Sequence, residues 1–464
     1  MRSSKVIENV EITGISADGK SVGRADNLVI FISGATPGDL VDVQITGKKK
    51  KFLEGRTVNI HRASVDRTEP FCNHFGICGG CKWQHMAYDA QLRHKQQQVT
   101  DNLTKLTTIE MPPVSKILGS EKQTFYRNKL EYTFSNNRWL TKEEIDSGKE
   151  FERNALGFHI PKRFDKILDI DKCWLQSDIS NDIRNGLKEF ARANEMSFFD
   201  IRKQHGLLRN LIIRNSILDD VMVLVQFFDR DQKAIDLVMA YLSNNFPKIT
   251  ALHYVINQKG NESIYDQEVI TYAGEDYMTE EMEGLKFKVG PKSFYQTNSN
   301  QAYELYKVAR DFASLSGDEI VYDLYTGTGT IANFIAKDAK KVVGVESVPE
   351  AIEDAKMNST LNNIQNCTFY AGDMKDVLND NFVNVNGHPD VIIVDPPRAG
   401  MHQQVVESIA RIKPDKLIYV SCNPATQARD IELLKESFEV IKIQPVDMFP
   451  QTQHVENVIL LKSK

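Results

Sequence analysis

Apolar and polar positions change rhythm along the chain. In VIENVEITGISADGKSVGRADNLVIFISGATPGDLVDVQITG, short apolar runs alternate with polar residues and break at Asp-Gly, Gly-Arg and Pro-Gly. That is the pattern of short, half-buried strands joined by tight turns. Several such strands predict a small β-barrel of the OB kind over residues 1–62. Residues 63–285 follow as a central α+β region. It opens with a cysteine-rich stretch and a polar, helical segment from about Ala87 to Leu106. Strands follow at KLEYTF (129–134), LIIRNSI (211–217) and VMVLVQFF (221–228), with an amphipathic helix at 231–244. From about residue 286 to 464 the texture becomes strand, turn, helix in regular alternation. EIVYDLYTGTGT, KVVGVE, NCTFYAGD, DVIIVDPP and KLIYVSCNP are apolar strands ending in polar residues, and FEVIKIQPV and VENVILLK complete the set. Apolar strands alternating with helices imply a parallel, doubly wound sheet, which binds ligands beyond its strands' carboxyl ends.

Length and composition fit this three-part organisation. A chain of 464 residues exceeds one ordinary core, and 41% hydrophobic with 26% charged residues is the balance of a soluble globular protein. No apolar run is long enough to span a membrane, and MRSSKVIENVEITG lacks the apolar core of a signal peptide. A cytoplasmic protein with no membrane partner is expected. The net charge of −6 offers no global field for nucleic acid. Charge is nevertheless uneven, because Lys48, Lys49, Lys50, Lys51, Arg56, Arg62 and Arg67 face only Glu54 and Asp66 in that stretch. Alone, such a run is a solvated loop; it matters only if other features call for RNA.

The polar strand ends are where chemistry is expected. Asp323-Leu-Tyr325-Thr-Gly327-Thr-Gly329-Thr330 closes a strand with glycines that let backbone approach a ligand. GTGTIA also fits a dinucleotide fingerprint, so a nicotinamide or flavin oxidoreductase is the first rival. Glu346, ending the next strand, can accept ribose hydroxyls from either cofactor. Three features favour S-adenosylmethionine: Asp323 with Gly327, Asp373 where an adenine edge could bind, and Asp395-Pro396-Pro397-Arg398. Asp373 and Asp395 could instead cap helices.

Cys422, in Val-Ser-Cys-Asn-Pro, lies at the end of the fifth strand, and Glu456 precedes the last one. A thiol and a carboxylate beside a methyl donor suit methylation of uracil at carbon 5. That carbon is too weak a nucleophile unaided, so a thiolate must add at carbon 6 and a base must later remove the carbon 5 proton. Separately, Cys72, Cys78 and Cys81 are spaced six and three apart among glycines, with Cys173 distant in Asp-Lys-Cys-Trp. In a reducing compartment such thiols are metal ligands rather than disulfides. From the residues alone, zinc held by four thiolates fits, with His74 or His85 able to replace Cys173. Cys367 is left over as structural.

Taken together, the four cysteines, Ser293-Phe294-Tyr295-Gln296-Thr-Asn, DLYTGTGT, GVE, DPPRAG, SCNP and HVENV resemble the RNA (uracil-5-)-methyltransferase family. The resemblance runs the length of the chain and is to the branch with an N-terminal TRAM domain and an iron–sulfur cluster. It implies Cys422 as nucleophile and Glu456 as base, with Gln296, Tyr325, Glu346 and Asp395 holding S-adenosylmethionine or the target base, beside Gly327, Gly329 and Asp373 as read from the strand ends. Tyr325 replaces a frequent phenylalanine and keeps an aromatic face. It further implies a [4Fe–4S] cluster on Cys72, Cys78, Cys81 and Cys173, stapling a domain that grips RNA. A monomer acting on 23S ribosomal RNA is expected, with transfer RNA as the alternative target. An RNA-binding protein with a decayed catalytic domain is a further rival, which intact Cys422 and Glu456 oppose.

Overall fold

The structure, a computed structural model, describes residues 5–25 and 27–464; the remaining residues of the expected barrel, 1–4 and 26, lie outside the described set. Strands β1 (Val6–Ile15), β2 (Ser21–Ala25), β3 (Leu28–Ser33), β4 (Leu40–Lys48) and β5 (Phe52–Arg62) close a barrel in the order β1-β2-β3-β5-β4. Period-two alternation puts Val10, Ile12, Ile30, Ile32, Val41 and Val43 inside it. Lys48–Lys51 stand exposed at the β4–β5 turn.

Helix α1 (Tyr88–Leu106) follows the cysteine-rich loop and packs on the C-terminal domain, where its Val99 and Leu103 join the core beneath the sheet. A central sheet contains β6 (Lys129–Ser135), β7 (Ala155–Ile160), β8 (Arg163–Asp169), β9 (Leu208–Asn215), β10 (Val221–Phe227), β11 (Ile249–Ile256) and β12 (Ile270–Gly274). Their order is β12-β11-β10-β9-β6-β7-β8. The short helix α2 (Lys142–Asp146) lies between β6 and β7, while α3 (Asp178–Ala193) and α4 (Gln232–Asn245) cover one face. The strand expected to reach residue 217 stops at Asn215, because Ser216 donates its N–H to Asp220 in a turn and leaves Ile217 exposed. A hairpin, β13 (Met278–Met282) and β14 (Leu285–Val289), leads into the last domain.

That domain alternates α5 (Ser299–Ala313), β15 (Ile320–Leu324), α6 (Thr330–Ile335), β16 (Lys341–Glu346), α7 (Pro349–Leu361) and β17 (Cys367–Ala371). It continues through α8 (Met374–Val377), α9 (Asp380–Asn386), β18 (Val391–Val394), α10 (Gln403–Ile412), β19 (Lys416–Ser421), α11 (Pro424–Leu434), β20 (Phe438–Val446) and β21 (Glu456–Ser463). The sheet order is β17-β16-β15-β18-β19-β21-β20. Strands β15 to β19 run parallel as expected, but β21 inserts antiparallel to both β19 and β20. The reason is its connection: residues 447–455 contain no crossover helix, and neighbours joined without one pair antiparallel. This departure from an all-parallel sheet brings the two chemical residues together.

Candidate active site

Cys422 follows Ser421, the last residue of β19, and Glu456 is the first residue of β21. In the antiparallel ladder Ser421 lies opposite Asn457, so Cys422 and Glu456 emerge side by side at the same sheet edge. A parallel β21 would have left Glu456 at the opposite end. Asp395, one residue beyond β18, comes from the adjacent strand, and its carboxylate acts electrostatically on both groups. The Asp395–Arg398 loop is tied to the Cys422 loop, since Asn423 Nδ2 donates to the Arg398 carbonyl at 3.0 Å and Thr426 Oγ1 at 3.2 Å.

Burial dominates the electrostatics here. It pushes the Asp395 carboxyl up to about 7, with help from Asp323, and lifts Glu456 well above the ordinary carboxylate range, with help from Asp395. Cys422 rises to about 11 through burial and then the Glu456 and Asp395 charges, against the opposing pull of the Arg398 guanidinium. Once ionised, a carboxylate with raised proton affinity is the stronger base towards a proton on carbon.

The cofactor-type turn is built around Asp323. Its Oδ2 accepts from Thr326 Oγ1 at 2.5 Å and the Ala332 N–H at 3.0 Å, which folds the turn onto the start of α6. Its Oδ1 is buried with no hydrogen-bond partner, and burial lifts the carboxyl to about 7. Gly329 caps α6 at φ +73, whereas a Cβ on Gly327, at φ +55, would meet no atom within 4 Å. Half-buried Tyr325 also takes a left-handed φ of 66. Glu346 Oε1 accepts the Ser347 and Val348 N–H groups at 2.7 and 3.0 Å, while Oε2 accepts that of Gly327 at 3.2 Å. An orphaned carboxylate oxygen, an open glycine turn and an acceptor at the next strand end fit a nucleoside-bearing ligand.

Two expected residues stand less directly in this arrangement. Asp373 is exposed, caps α8 through the Lys375 N–H, and is held below the ordinary carboxylate range by the Lys375 ammonium at 2.7 Å. Gln296 is half-buried in the loop before α5; its carbonyl accepts from Asn128 Nδ2 at 2.8 Å. Sequence reasoning missed Tyr306, a buried α5 residue facing the charges of Asp395, Asp323 and Glu456. On an amphipathic helix it reads as core, so only the spatial meeting of these elements reveals it.

The four remaining candidates, Cys72, Cys78, Cys81 and Cys173, line one cavity of about 410 Å³ between the cysteine loop and the central sheet. Burial raises Cys78 to about 11 and Cys81 to about 12. Gly79 has to be glycine: φ is +75 and a Cβ would fall 2.3 Å from the Pro161 ring. His74 also lines the cavity, but its Nε2 accepts the Asp171 N–H at 3.1 Å. His85 faces elsewhere, bonding the Ala35 carbonyl at 2.9 Å. Among the described residues no three His, Cys, Asp or Glu side chains converge as ligands of a single metal ion. Cys367 is half-buried in β17 with Sγ 3.7 Å from the Ala332 carbonyl.

The tRNA (Uracil-5-)-methyltransferase family pattern matches residues 255–464, and the TRAM domain pattern matches residues 7–58. A protein of Bacteroides thetaiotaomicron named "Uncharacterized RNA methyltransferase" is 55% identical, covering 97% of this chain and 100% of its own. One of the same name from Porphyromonas gingivalis is 54% identical over 97% of this chain and 99% of its own. The solved Pyrococcus abyssi tRNA (uracil-54, C5)-methyltransferase in complex with S-adenosyl-L-homocysteine superposes with a TM-score of 0.77 at 29% identity, covering 98% of this chain and 100% of that one. The chain therefore belongs to the tRNA (uracil-5-)-methyltransferase family and is an S-adenosylmethionine-dependent RNA methyltransferase with an N-terminal TRAM domain.

Proposed function

We propose that the enzyme methylates carbon 5 of a uridine through a covalent intermediate on Cys422. The Cys422 thiolate adds to carbon 6, forming an S–C bond and an enolate whose carbon 5 is nucleophilic. Gln296, Tyr325, Gly327, Gly329, Glu346, Asp373 and Asp395 would hold S-adenosylmethionine, which would supply an electrophilic methyl to carbon 5 and leave as the thioether. The Glu456 carboxylate then takes the carbon 5 proton; the freed electron pair restores the ring double bond and expels the Cys422 thiolate. Asp395 acts electrostatically on the Cys422 thiol, and buried Tyr306 faces the charges of Asp395, Asp323 and Glu456. The observation that carries this reading is the antiparallel β19–β21 register, which sets Glu456 beside Cys422. Cys422→Ala should abolish methylation yet bind cofactor, while Glu456→Gln should trap a protein–RNA adduct visible on a denaturing gel. Normal turnover by Cys422→Ala would overturn the mechanism.

The same reading gives Cys72, Cys78, Cys81 and Cys173 a [4Fe–4S] cluster. The four thiols share one cavity, and a cubane presents a separate iron to each, so its thiolates stand farther apart than ligands of one ion. A structural staple needs no electron transfer, and none is invoked. Anaerobically purified protein should be brown with about four irons per chain; one zinc equivalent without iron would refute the assignment.

The target is proposed as a uridine of 23S ribosomal RNA, gripped in part by exposed Lys48–Lys51 on the barrel of a monomeric, cytoplasmic enzyme. Full-length likeness to a transfer-RNA enzyme, barrel included, specifically favours transfer RNA as the second reading. Mapping 5-methyluridine in both RNAs from cells lacking the protein decides between them.

A further inference from the structure

Glu456 enters the site at the end of the connection 447–455, and the way this connection is held is unusual. In the β20–β21 ladder Glu456 opposes Val446, so Asp447 directly follows the residue paired with the base. Asp447 is fully buried, as is its partner: Lys95 Nζ on α1 lies 2.5 Å from Asp447 Oδ1, with both side chains 0% exposed. The same ammonium donates to the Phe449 carbonyl at 3.0 Å, and Asp447 Oδ1 accepts the Phe449 N–H at 2.9 Å. Tyr88 OH donates to Asp447 Oδ2 at 2.9 Å. One helical turn before Lys95, on the same face of α1, Gln91 makes a reciprocal pair with Gln451: Nε2 donates to Gln451 Oε1 and Oε1 accepts the Gln451 N–H, both at 2.9 Å. Gln451 takes a left-handed φ of 68. Its carbonyl accepts the Lys82 and Trp83 N–H groups at 2.8 and 3.1 Å, immediately after Cys81.

Residues 447, 449 and 451 are thus gripped by one face of a helix more than 350 positions earlier in the chain. A buried ion pair is a poor device for stability, since apolar side chains of similar volume hold such a position equally well. What it does supply is direction, because each charge and amide accepts only one arrangement of its partner. We infer that Lys95 and Gln91 are positioning residues for the base, fixing the connection so that Glu456 meets carbon 5 of the covalent adduct. The inference rests on the reading of Glu456 as base. It also means that α1 and the loop carrying Cys81 act on proton removal through Gln451, without touching substrate.

The test separates the two halves of the reaction. The double variant Lys95→Met/Asp447→Asn removes both charges and leaves no buried ion unpaired; Gln91→Leu leaves the ion pair intact. Both are assayed for thermal melting, S-adenosylmethionine affinity, and adduct and product formation on labelled RNA in single turnover. Adduct formation and cofactor affinity are expected near wild type. Product release is expected to fall about 10- to 100-fold, the cost of misplacing a reacting group by about 1 Å, so that adduct accumulates. Parallel loss of adduct and product, or unchanged product, overturns the inference; if the double variant does not fold, Gln91→Leu alone decides by the same criteria. Glu456→Gln is the control. If it accumulates adduct and the positioning variants do not, only this inference fails. If folded Glu456→Gln accumulates none, the base assignment fails and takes the inference with it.

Discussion

At the scale of single residues, Cys422 carries an apparent contradiction. A nucleophilic thiol works as thiolate, yet burial and the neighbouring Glu456 and Asp395 carboxylates push this one to about 11, above the ordinary ~8.5. Roughly one thiol in ten thousand is then ionised at neutral pH. If Cys422 is the proposed nucleophile, the free enzyme would hold it protonated, and addition would require the bound RNA and cofactor to favour the thiolate. The Arg398 guanidinium and a backbone hydrogen bond at Cys422 oppose the shift, so the Arg398 charge is a lever for ionising the thiol. Iodoacetamide labelling of Cys422 should accordingly rise about tenfold per pH unit from pH 7 to 10 without a plateau. Arg398→Gln should slow it throughout. Mass spectrometry of the Cys422 peptide reads both, and a plateau near pH 8.5 would remove the contradiction along with the explanation.

At the scale of elements, Gly327 and Gly329 share one turn and should fail differently. A Cβ on Gly329 would lie 2.8 Å from the Ala355 Cβ, where α7 passes under the turn, and φ is +73. Gly329→Ala should therefore cost at least the roughly 1–2 kcal/mol of a left-handed residue, read by urea unfolding. Gly327→Ala carries the φ strain of +55 but meets no protein atom within 4 Å. Its added methyl points into the space assigned to cofactor, so S-adenosylmethionine affinity should drop more than stability does; equal losses of both in the two variants would refute this division. The turn itself was legible, because glycines after an apolar strand have few other uses, and the alternations of the barrel and of β15 to β19 were legible for the same local reasons. The orientation of β21 was not. VENVILLK is equally apolar in either direction, and only the helix-free connection 447–455 decides that it runs antiparallel. The site inherits that limit: Cys422 and Glu456 could be singled out as residues, but their adjacency depends on the strand's direction. Tyr306, Lys95 and Gln91 were invisible because their spacing on helices is that of ordinary core positions, and their partners lie in distant parts of the chain.

At the scale of the whole molecule, the buried carboxyls concentrated near the catalytic sheet should govern how stability follows pH. Burial lifts Asp323, Asp395 and Glu280 to about 7, and Glu456 well above its ordinary value. In the unfolded chain such groups ionise near pH 4. Between about pH 4 and 7 the native state therefore binds more protons than the unfolded one, so this contribution is full below about pH 4 and is lost as pH rises through about 7. Glu283 and Glu432 act in the opposite sense. Hydrogen bonds from Arg310 and Lys435 hold them at about 2, so their contribution is present above about pH 4.5 and lost on acidification. Both lie near the surface, where solvent screens such pairs and makes them the weaker term. The carboxyl contribution to the stability of the free protein should then be largest near about pH 4 to 5 and decline towards pH 7, while His253 and His454, which burial lowers to about 4, oppose that decline between about pH 4 and 6.5. A cationic sulfonium beside Asp395 would favour its ionised form, offsetting the decline. The gain in Tm on adding S-adenosylmethionine should thus grow from pH 5 to pH 8, and grow less with S-adenosylhomocysteine, which has the same adenosine but no positive sulfur. Thermal melts at the two pH values with each ligand measure this. A gain that did not grow from pH 5 to pH 8, or that grew equally with the two ligands, would mean that Asp395 is already ionised in the free fold or does not face the sulfonium.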